Sequence, residues 1–277
     1  MQLAFSTLGC PEWSMDIIVA TAQQMGYDGI EYRGLLGDIE LPCSAEFSPP
    51  QIGTTRRKHE LAHLRIVCLS SSVQVVASTV TDEECRQAVT QVKAYIDLAH
   101  EVDAPFVRVF CGPIPLSLTR DAALYAASCT LRDLGEYAHA RRVTVVVETH
   151  DAFTHSEELL DLIRRVNHPA IQVLWDIHHP YRLAGESISY TMGILDGHVR
   201  YTHVKDSLLN TENDSFTYVP LGDGDVPVRE AIRALDFQGY DGFLTLEWEK
   251  RWVPALAPPE IIFPHYITQM RGWLATR

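Results

Sequence analysis

Four residues that could bind a metal each lie at the end of an apolar, strand-like run of the sequence. They are Glu148, Asp176, His203 and Glu247, at intervals of 28, 27 and 44 residues. A single carboxylate in such a position means little, because strands often end in a charge that returns to solvent. Four at these intervals match successive parallel strands, whose C-terminal ends lie on one side of the sheet. Three carboxylates and one imidazole suit a divalent cation such as Mn²⁺, Co²⁺, Zn²⁺ or Mg²⁺.

The elements that must position these residues alternate along the chain. Short apolar runs rich in Val, Ile and Phe are followed by longer segments with helical periodicity, which predicts βα units and a parallel sheet. Four strands are predicted at 2–6, 29–32, 65–70 and 106–110, and four more carry the potential metal ligands. Helices are predicted at 14–25, about 49–63, 81–102, 119–141, 156–166, 227–235 and about 259–275. Ser14 and Gly26 are expected to cap the first helix, and capping boxes are expected at Thr81 and, in looser form, Ser156.

The length of the chain and its lack of a linker-like segment favour one closed barrel. The chain has 277 residues, and a (β/α)8 barrel needs about 250. No Ser/Gly-rich or charge-rich linker divides it. The segment from Gly222 to Asp225 is not a dinucleotide fingerprint, and we interpret it as a turn before a helix. We therefore predict an α/β fold, a (β/α)8 TIM barrel, with residues 1–277 forming a single domain.

Composition excludes several classes of function. A formal net charge of −13 would repel a polyanion, so no nucleic-acid partner is expected. No apolar run reaches about 18 residues, so no membrane span is expected. The N-terminus is predicted to be a strand and not a signal peptide. The six cysteines are predicted to be reduced, buried small hydrophobes, which is typical of a cytoplasmic protein.

Several motifs resemble the sugar phosphate isomerase/epimerase superfamily, the xylose-isomerase-like TIM barrels. They are Gly29-Ile-Glu-Tyr-Arg, Val147-Glu-Thr-His, Trp175-Asp-Ile-His-His-Pro, His203-Val-Lys-Asp-Ser and Leu246-Glu-Trp-Glu. The resemblance implies one divalent ion held by the four residues named above. It also implies that His179, three residues after the aspartate, touches a substrate oxygen, although the neighbouring His178 is an alternative. Family members often form dimers or tetramers, so a homo-oligomer is a possible state.

The resemblance, together with the ligand set, implies a metal-dependent isomerase or epimerase of a small, carbohydrate-like carbonyl compound: a sugar, a sugar phosphate or a polyol ketone. Such a reaction removes the proton next to the carbonyl, and a metal stabilises the resulting enediolate. Glu148 and Glu247 are the natural acid/base pair. The alternative is a dehydratase of an inosose- or dehydroshikimate-like substrate, which begins with the same proton removal. A phosphodiesterase like endonuclease IV is disfavoured, because Phe216 and Tyr218 occupy two positions where its metal cluster needs ligands.

Four further residues are candidates for contacting substrate: Arg108, Lys205, Glu31 and Trp13. An arginine inside a barrel strand is costly unless it is paired, so Arg108 binds either an anionic substrate group or a metal-site carboxylate such as Glu148. Lys205 either polarises a substrate oxygen or forms salt bridges. Glu31 hydrogen-bonds either a substrate hydroxyl or a ligand histidine, and Trp13 could wall the pocket. Arg33, Arg182, Lys250 and Arg251 are further candidates for an anionic group, and His150 could line the pocket.

Overall fold

Eight parallel strands close into a barrel, which confirms the predicted fold. The computed structural model describes residues 1–213 and 215–276. Its barrel strands are β1 (Gln2–Ser6), β2 (Gly29–Tyr32), β3 (Arg65–Gln74), β4 (Phe106–Phe110), β5 (Thr144–Glu148), β6 (Ile171–Asp176), β7 (Val199–Val204) and β10 (Phe243–Leu246). They pair in the order β1-β10-β7-β6-β5-β4-β3-β2, and β2 pairs with β1 to close the ring. The other two strands, β8 (Asp206–Asn210) and β9 (Ser215–Val219), form a separate antiparallel hairpin.

Helices between the strands cover the outside of the barrel. They are α1 (Met15–Met25), α2 (Ile52–Ala62), α3 (Asp82–Glu101), α4 (Arg120–His139), α5 (Ser156–Val166), α6 (His178–Ala184), α7 (Ile188–Ile194), α8 (Val228–Phe237) and α9 (Pro259–Leu274). The capping signals at Ser14, Gly26 and Thr81 act as expected. The Ser14 hydroxyl accepts a bond from the Ile17 amide, and Gly26 ends α1 in the left-handed region at φ 76°. Thr81 accepts a bond from the Glu84 amide at the start of α3.

Strand alternation divides the apolar residues between two cores. Residues facing outward pack against the helices, and those facing inward fill the barrel. The inward cluster comprises Ala4, Val67, Cys68, Val146, Leu174, Tyr201 and Phe243. Because side chains two apart in a strand share a face, the residues two positions after Val146, Leu174 and Tyr201 also face inward, at the C-terminal end. These residues are Glu148, Asp176 and His203. The inward apolar side chains therefore fill the barrel beneath the polar residues at its C-terminal end.

Four sequence predictions about local structure were wrong or incomplete. Ser156 is the first residue of α5 and not its cap: His155 holds the cap position, and the Ser156 amide donates to the carboxylate of Glu186 at 2.9 Å. Helices α6 and α7 and the β8–β9 hairpin were not predicted, and β3 continues to Gln74 instead of ending near residue 70. All six cysteines are free, but Cys43 is exposed and Cys85 and Cys129 are half-buried, so only three are core residues.

In the part of the chain that is described, 1–213 and 215–276, no helix has both the length and the apolar character needed to cross a membrane.

Candidate active site

The four potential metal ligands meet at the C-terminal end of the barrel. Glu148 and Asp176 are the last residues of β5 and β6, His203 lies in β7, and Glu247 directly follows β10. These four strands are consecutive in the barrel order, so the ligands form an arc along one wall. Each has one ligand atom within 4.8 Å of those of the other three, and all four residues are buried. The sequence interval between strands was therefore sufficient to identify residues that converge in space.

His203 is oriented by a fifth residue, Glu31 of β2. The imidazole Nε2 lies 2.8 Å from Glu31 Oε2, while Nδ1 faces Glu148 at 3.4 Å and Glu247 at 3.2 Å. Glu247, Glu31 and Glu148 outweigh burial and raise the pKa of His203 well above its usual value. With a metal bound, His203 would be neutral, donating from Nε2 to Glu31 and presenting Nδ1 to the ion. Glu31 is 0% exposed. Of the two roles considered for Glu31, the contact made is the one to a ligand histidine.

Lys205 is the second cation of the cluster, and it is fully engaged. Its Nζ lies 2.8 Å from Asp176, 2.6 Å from Glu247 and 2.9 Å from Glu249. Burial lowers the pKa of Lys205, but the three carboxylates outweigh burial and raise it well above the usual value. Lys205 is therefore a fixed ammonium that orients two ligand carboxylates. Glu249 was not identified from the sequence, although it stands in the Leu246-Glu-Trp-Glu motif.

Arg108 supports the opposite end of the arc. Its Nη1 lies 3.3 Å from Glu148 Oε2, both side chains are 1% exposed, and its guanidinium stacks on the Phe110 ring at 3.8 Å. Burial and Glu247 raise the pKa of Glu148, but Arg108 and His203 outweigh them and leave it below the usual value. Burial also raises the pKa of Glu247, but the nearby cations His203 and Lys205 outweigh burial and leave this pKa well below the usual value. Both glutamates are thus held as carboxylates.

The arrangement fits a divalent cation. The donor set is hard oxygen plus one imidazole nitrogen, which matches the ions named from the sequence. Oε2 of Glu148 is buried and accepts no hydrogen bond from any described residue. Burial raises the pKa of Asp176 to about 6, with Lys205 opposing and the neighbouring glutamates adding to the rise. Three carboxylates packed so closely repel each other, and a bound cation would relieve this repulsion.

The two adjacent histidines after Asp176 point in different directions. His179 Nδ1 lies 3.0 Å from the carbonyl oxygen of Thr149 and 3.4 Å from Asp176 Oδ2, which leaves Nε2 as the ring nitrogen for a substrate contact. His178 Nε2 lies 2.9 Å from the Ser207 hydroxyl, and its ring packs against the hairpin residues Phe216 and Tyr218. This geometry favours His179 over His178 as the substrate contact. The assignment remains a prediction.

The other two pocket candidates from the sequence lie near the same end of the barrel. Trp13, in the loop after β1, is half-buried and meets Phe263 of α9 edge-on at 5.6 Å. The His150 ring meets the His179 ring edge-on at 4.8 Å, and its Nδ1 lies 2.9 Å from Asp151. His150 is therefore in direct contact with the cluster. Trp13 as a wall of the substrate pocket stays a prediction.

A cavity of about 330 Å³ lies at the other end of the barrel. Its lining includes Val199 and Gly242, which mark the starts of β7 and β10, together with Asp196, Arg200 and Tyr240. The potential metal ligands lie at the opposite ends of these strands. TIM-barrel chemistry takes place at the C-terminal face, so this cavity is not the candidate site.

Comparison with known proteins agrees with this architecture. A family model described as xylose isomerase-like TIM barrel matches residues 19–267. Fructoselysine 3-epimerase of Shigella flexneri is 22% identical over 252 residues, 89% of this chain and 90% of that protein. The probable 3-DHS dehydratase AsbF of Bacillus anthracis superposes with a TM-score of 0.79 at 18% identity, over 98% of this chain and 99% of that one. The IolI protein with a bound zinc atom gives 0.79 at 15% identity, over 98% and 97%. The chain belongs to the xylose isomerase-like TIM-barrel family.

Proposed function

We propose that this protein is a divalent-metal-dependent isomerase or epimerase of a small, sugar-like carbonyl compound. The observation that carries the proposal is the convergence of Glu148, Asp176, His203 and Glu247 within 4.8 Å of one another. Three carboxylates packed this closely repel each other, and a bound divalent cation would relieve this repulsion in addition to Arg108 and Lys205. A divalent cation held there would polarise a substrate carbonyl and stabilise the negative charge that develops on its oxygen.

The positions of Glu148 and Glu247 support a role for them in proton transfer. They stand at the two ends of the arc formed by β5, β6, β7 and β10, so a substrate between them would present different faces to each. Both are held as carboxylates, Glu148 by Arg108 and His203 and Glu247 by His203 and Lys205. Either can therefore accept the proton next to a carbonyl. An isomerase can return, from the same side, the proton that one glutamate has accepted. An epimerase needs the opposite glutamate to deliver a proton, which that carboxylate must first take up from solvent or from a substrate hydroxyl.

The remaining residues hold this geometry. Lys205 fixes Asp176 and Glu247 through contacts of 2.8 and 2.6 Å. His179, anchored at Nδ1 by the Thr149 carbonyl, would orient a substrate oxygen through Nε2. The relationship with fructoselysine 3-epimerase, at 22% identity over 89% of this chain, supports a sugar substrate and a reaction of this class.

A metal-dependent dehydratase is the second candidate, and His150 is the residue that favours it. Eliminating water requires an acid for the departing hydroxyl as well as a base for the proton. Burial lowers the pKa of His150, but Asp151 and Glu148 outweigh burial and raise it above the usual value. A protonated imidazole next to the cluster could serve as that acid.

A substrate panel in the presence of Mn²⁺ separates the two candidates. The panel contains ketoses, their phosphates, inososes and dehydroshikimate, and products are identified by NMR in D₂O. The proposed function predicts an isomeric or epimeric product with deuterium at the carbon next to the carbonyl. Loss of water from an inosose or from dehydroshikimate, without any ketose turnover, would establish the dehydratase instead.

A further inference from the structure

Among the residues that the structure describes, Arg33 is a buried cation without an ionic partner. It is 6% exposed, and no described residue places a carboxylate within 4.0 Å of it. The carboxylates of the site are all paired elsewhere: Glu31 with His203, Glu148 with Arg108, and Asp176, Glu247 and Glu249 with Lys205. Its Nη1 is buried and makes no hydrogen bond to any described residue. An unpaired buried charge is among the costliest features a fold can retain.

Its position in the barrel directs this charge toward the site. Arg33 directly follows β2, two residues after Glu31, so strand alternation gives both side chains the same inward face. Arg33 stands nearer the C-terminal mouth than Glu31. The backbone is held by Thr7, whose hydroxyl accepts from the Arg33 amide at 2.9 Å and donates to the Gly34 carbonyl at 2.7 Å. Gly34 turns the chain at φ 94°, where a Cβ would lie 2.9 Å from the Asp38 carbonyl oxygen.

An irregularity in the neighbouring strand β3 brings a hydroxyl to this guanidinium. The pairing of β3 with β4 shifts register between Ser70 and Gln74, and the Ser71 hydroxyl bonds back to the Arg108 carbonyl at 2.8 Å. The unpaired segment presents Ser72, which accepts a bond from Arg33 Nη2 at 2.9 Å. Ser72 itself is exposed to solvent. Register shifts of this kind commonly redirect a side chain beside an active site.

The Arg33 guanidinium is also close enough to the potential metal ligands to interact with them electrostatically. Burial, followed by repulsion from Arg108, lowers the pKa of Arg33 to about 10, and Tyr95, Glu247 and Glu31 only partly offset this. Two guanidiniums that repel each other beside a substrate site indicate a position for negative charge. Arg33 still titrates far above neutral pH, so it remains charged.

The solvent side of Arg33 is bounded by an aromatic ring. Trp252, in the segment after β10, has its ring centroid 5.9 Å from the Arg33 guanidinium carbon and is 54% exposed. A cation–π contact supports the guanidinium plane but does not neutralise it. The Nη1 edge therefore keeps its capacity for a bidentate or charge-assisted bond to an oxyanion.

We propose that the substrate carries an anionic oxygen group, a carboxylate or a phosphate, and that Arg33 binds this group together with the Ser72 hydroxyl. The inference rests on the proposed function, since it describes the substrate of that same site. It makes Arg33 a specificity-determining residue that selects acidic sugar derivatives over neutral sugars.

Three matched ligands test the proposal: D-fructose, D-fructose 6-phosphate and D-fructuronate, which carry a hydroxymethyl, a phosphorylated hydroxymethyl and a carboxylate at the same carbon. Binding to the Mn²⁺-loaded protein is measured by calorimetry for the wild type, Arg33→Met and Arg33→Lys. Arg65→Met is the control, because Arg65 stacks on Phe243 at 5.3 Å from the start of β3, at the other end of the barrel. Thermal unfolding of each variant verifies the fold.

The wild type is expected to bind one of the anionic ligands at least tenfold more tightly than D-fructose. Arg33→Met should lower the affinity for that anionic ligand by roughly 10- to 100-fold, as expected for loss of a charged hydrogen bond. Its effect on the affinity for D-fructose should be at least tenfold smaller. Arg33→Lys should lie between, since it keeps the charge and loses the planar fork. Arg65→Met should leave all three affinities within about twofold of the wild type. Whichever anionic ligand responds identifies phosphate or carboxylate as the group bound.

Equal weakening of all three ligands by Arg33→Met, or no anionic preference in the wild type, would overturn the proposal even if ketoses are turned over. Conversely, an Arg33-dependent preference for an anion in a protein that turns over no ketose would retain the oxyanion site and refute the isomerase assignment. The two proposals therefore fail in different ways.

Discussion

The contact between Glu31 and His203 gives the sharpest test of how the site is built. Glu31 Oε2 lies 2.8 Å from His203 Nε2, and both side chains are fully buried. If this contact orients the metal-binding nitrogen, substitution of Glu31 should weaken the metal. If Glu31 instead contacts substrate, the metal should bind normally and KM should rise. Two substitutions of different severity are compared. Glu31→Gln keeps a neutral hydrogen-bond acceptor, and Glu31→Ala removes the acceptor.

The structure sets the expected magnitudes. Glu31→Ala leaves a buried N–H without a partner, at a cost of about 1–3 kcal/mol, which agrees with the roughly 10- to 100-fold loss of metal affinity typical of such partners. Charge-assisted hydrogen bonds are about twice as strong as neutral ones, so Glu31→Gln should cost about 1 kcal/mol, or roughly fivefold. Removing this carboxylate also takes away one of the groups that raise the pKa of His203. Protons then compete less with the metal for His203 in the variant than in the wild type. At neutral pH the loss of metal affinity should therefore lie near the lower end of the 10- to 100-fold range.

The assay is competition for Zn²⁺ or Mn²⁺ against a chromogenic chelator. Glu186→Gln is the matched control, because Glu186 is also buried and bonds Ser156 and Thr191 outside the site. It should lower the free energy of unfolding without changing metal affinity. Unchanged metal affinity in Glu31→Ala, with an increased KM, would refute the reasoning and make Glu31 a substrate contact.

Four further outcomes are expected. Asp176→Asn should lose metal and activity together, whereas His179→Ala should keep the metal and lower kcat/KM; the reverse pattern in elemental analysis would mean that the two roles are exchanged. Glu148→Gln and Glu247→Gln, with metal content verified, should each slow turnover by about 10²–10⁴, and near-normal turnover of a metal-replete double variant would exclude both as bases. Elemental analysis of protein purified without chelator should give close to one equivalent of metal, and three equivalents of zinc would favour the endonuclease alternative. Metal at about 100 times its Kd should stabilise the fold by about 2.7 kcal/mol, so chelator should lower Tm by several degrees, and an unchanged Tm would mean that the site is empty.

The sequence by itself determined the barrel and the identity of the four converging residues. Both follow from information held in short segments. Apolar periodicity separates strands from helices, Ser14 and Thr81 mark helix starts by accepting bonds from nearby amides and Gly26 marks a helix end by donating to nearby carbonyls, and a parallel barrel brings every strand end to one face. Once the strands were assigned, the convergence of Glu148, Asp176, His203 and Glu247 followed from topology alone.

Tertiary structure decided which partner each remaining polar residue took. Glu31 and His203 are 172 residues apart, and their contact exists only because β2 and β7 face each other across the closed barrel. The sequence left two roles for Arg108 and for Lys205, and only the packed arrangement gave each its carboxylates. The amide of Ser156 donates a hydrogen bond to Glu186, 30 residues away, and Ser156 does not serve as a local helix cap. Arg33 is the clearest case, since its lack of a carboxylate partner among the described residues is a property of the whole packed site. Local signals are read within a few residues, whereas these pairings depend on distances that exist only after the barrel closes.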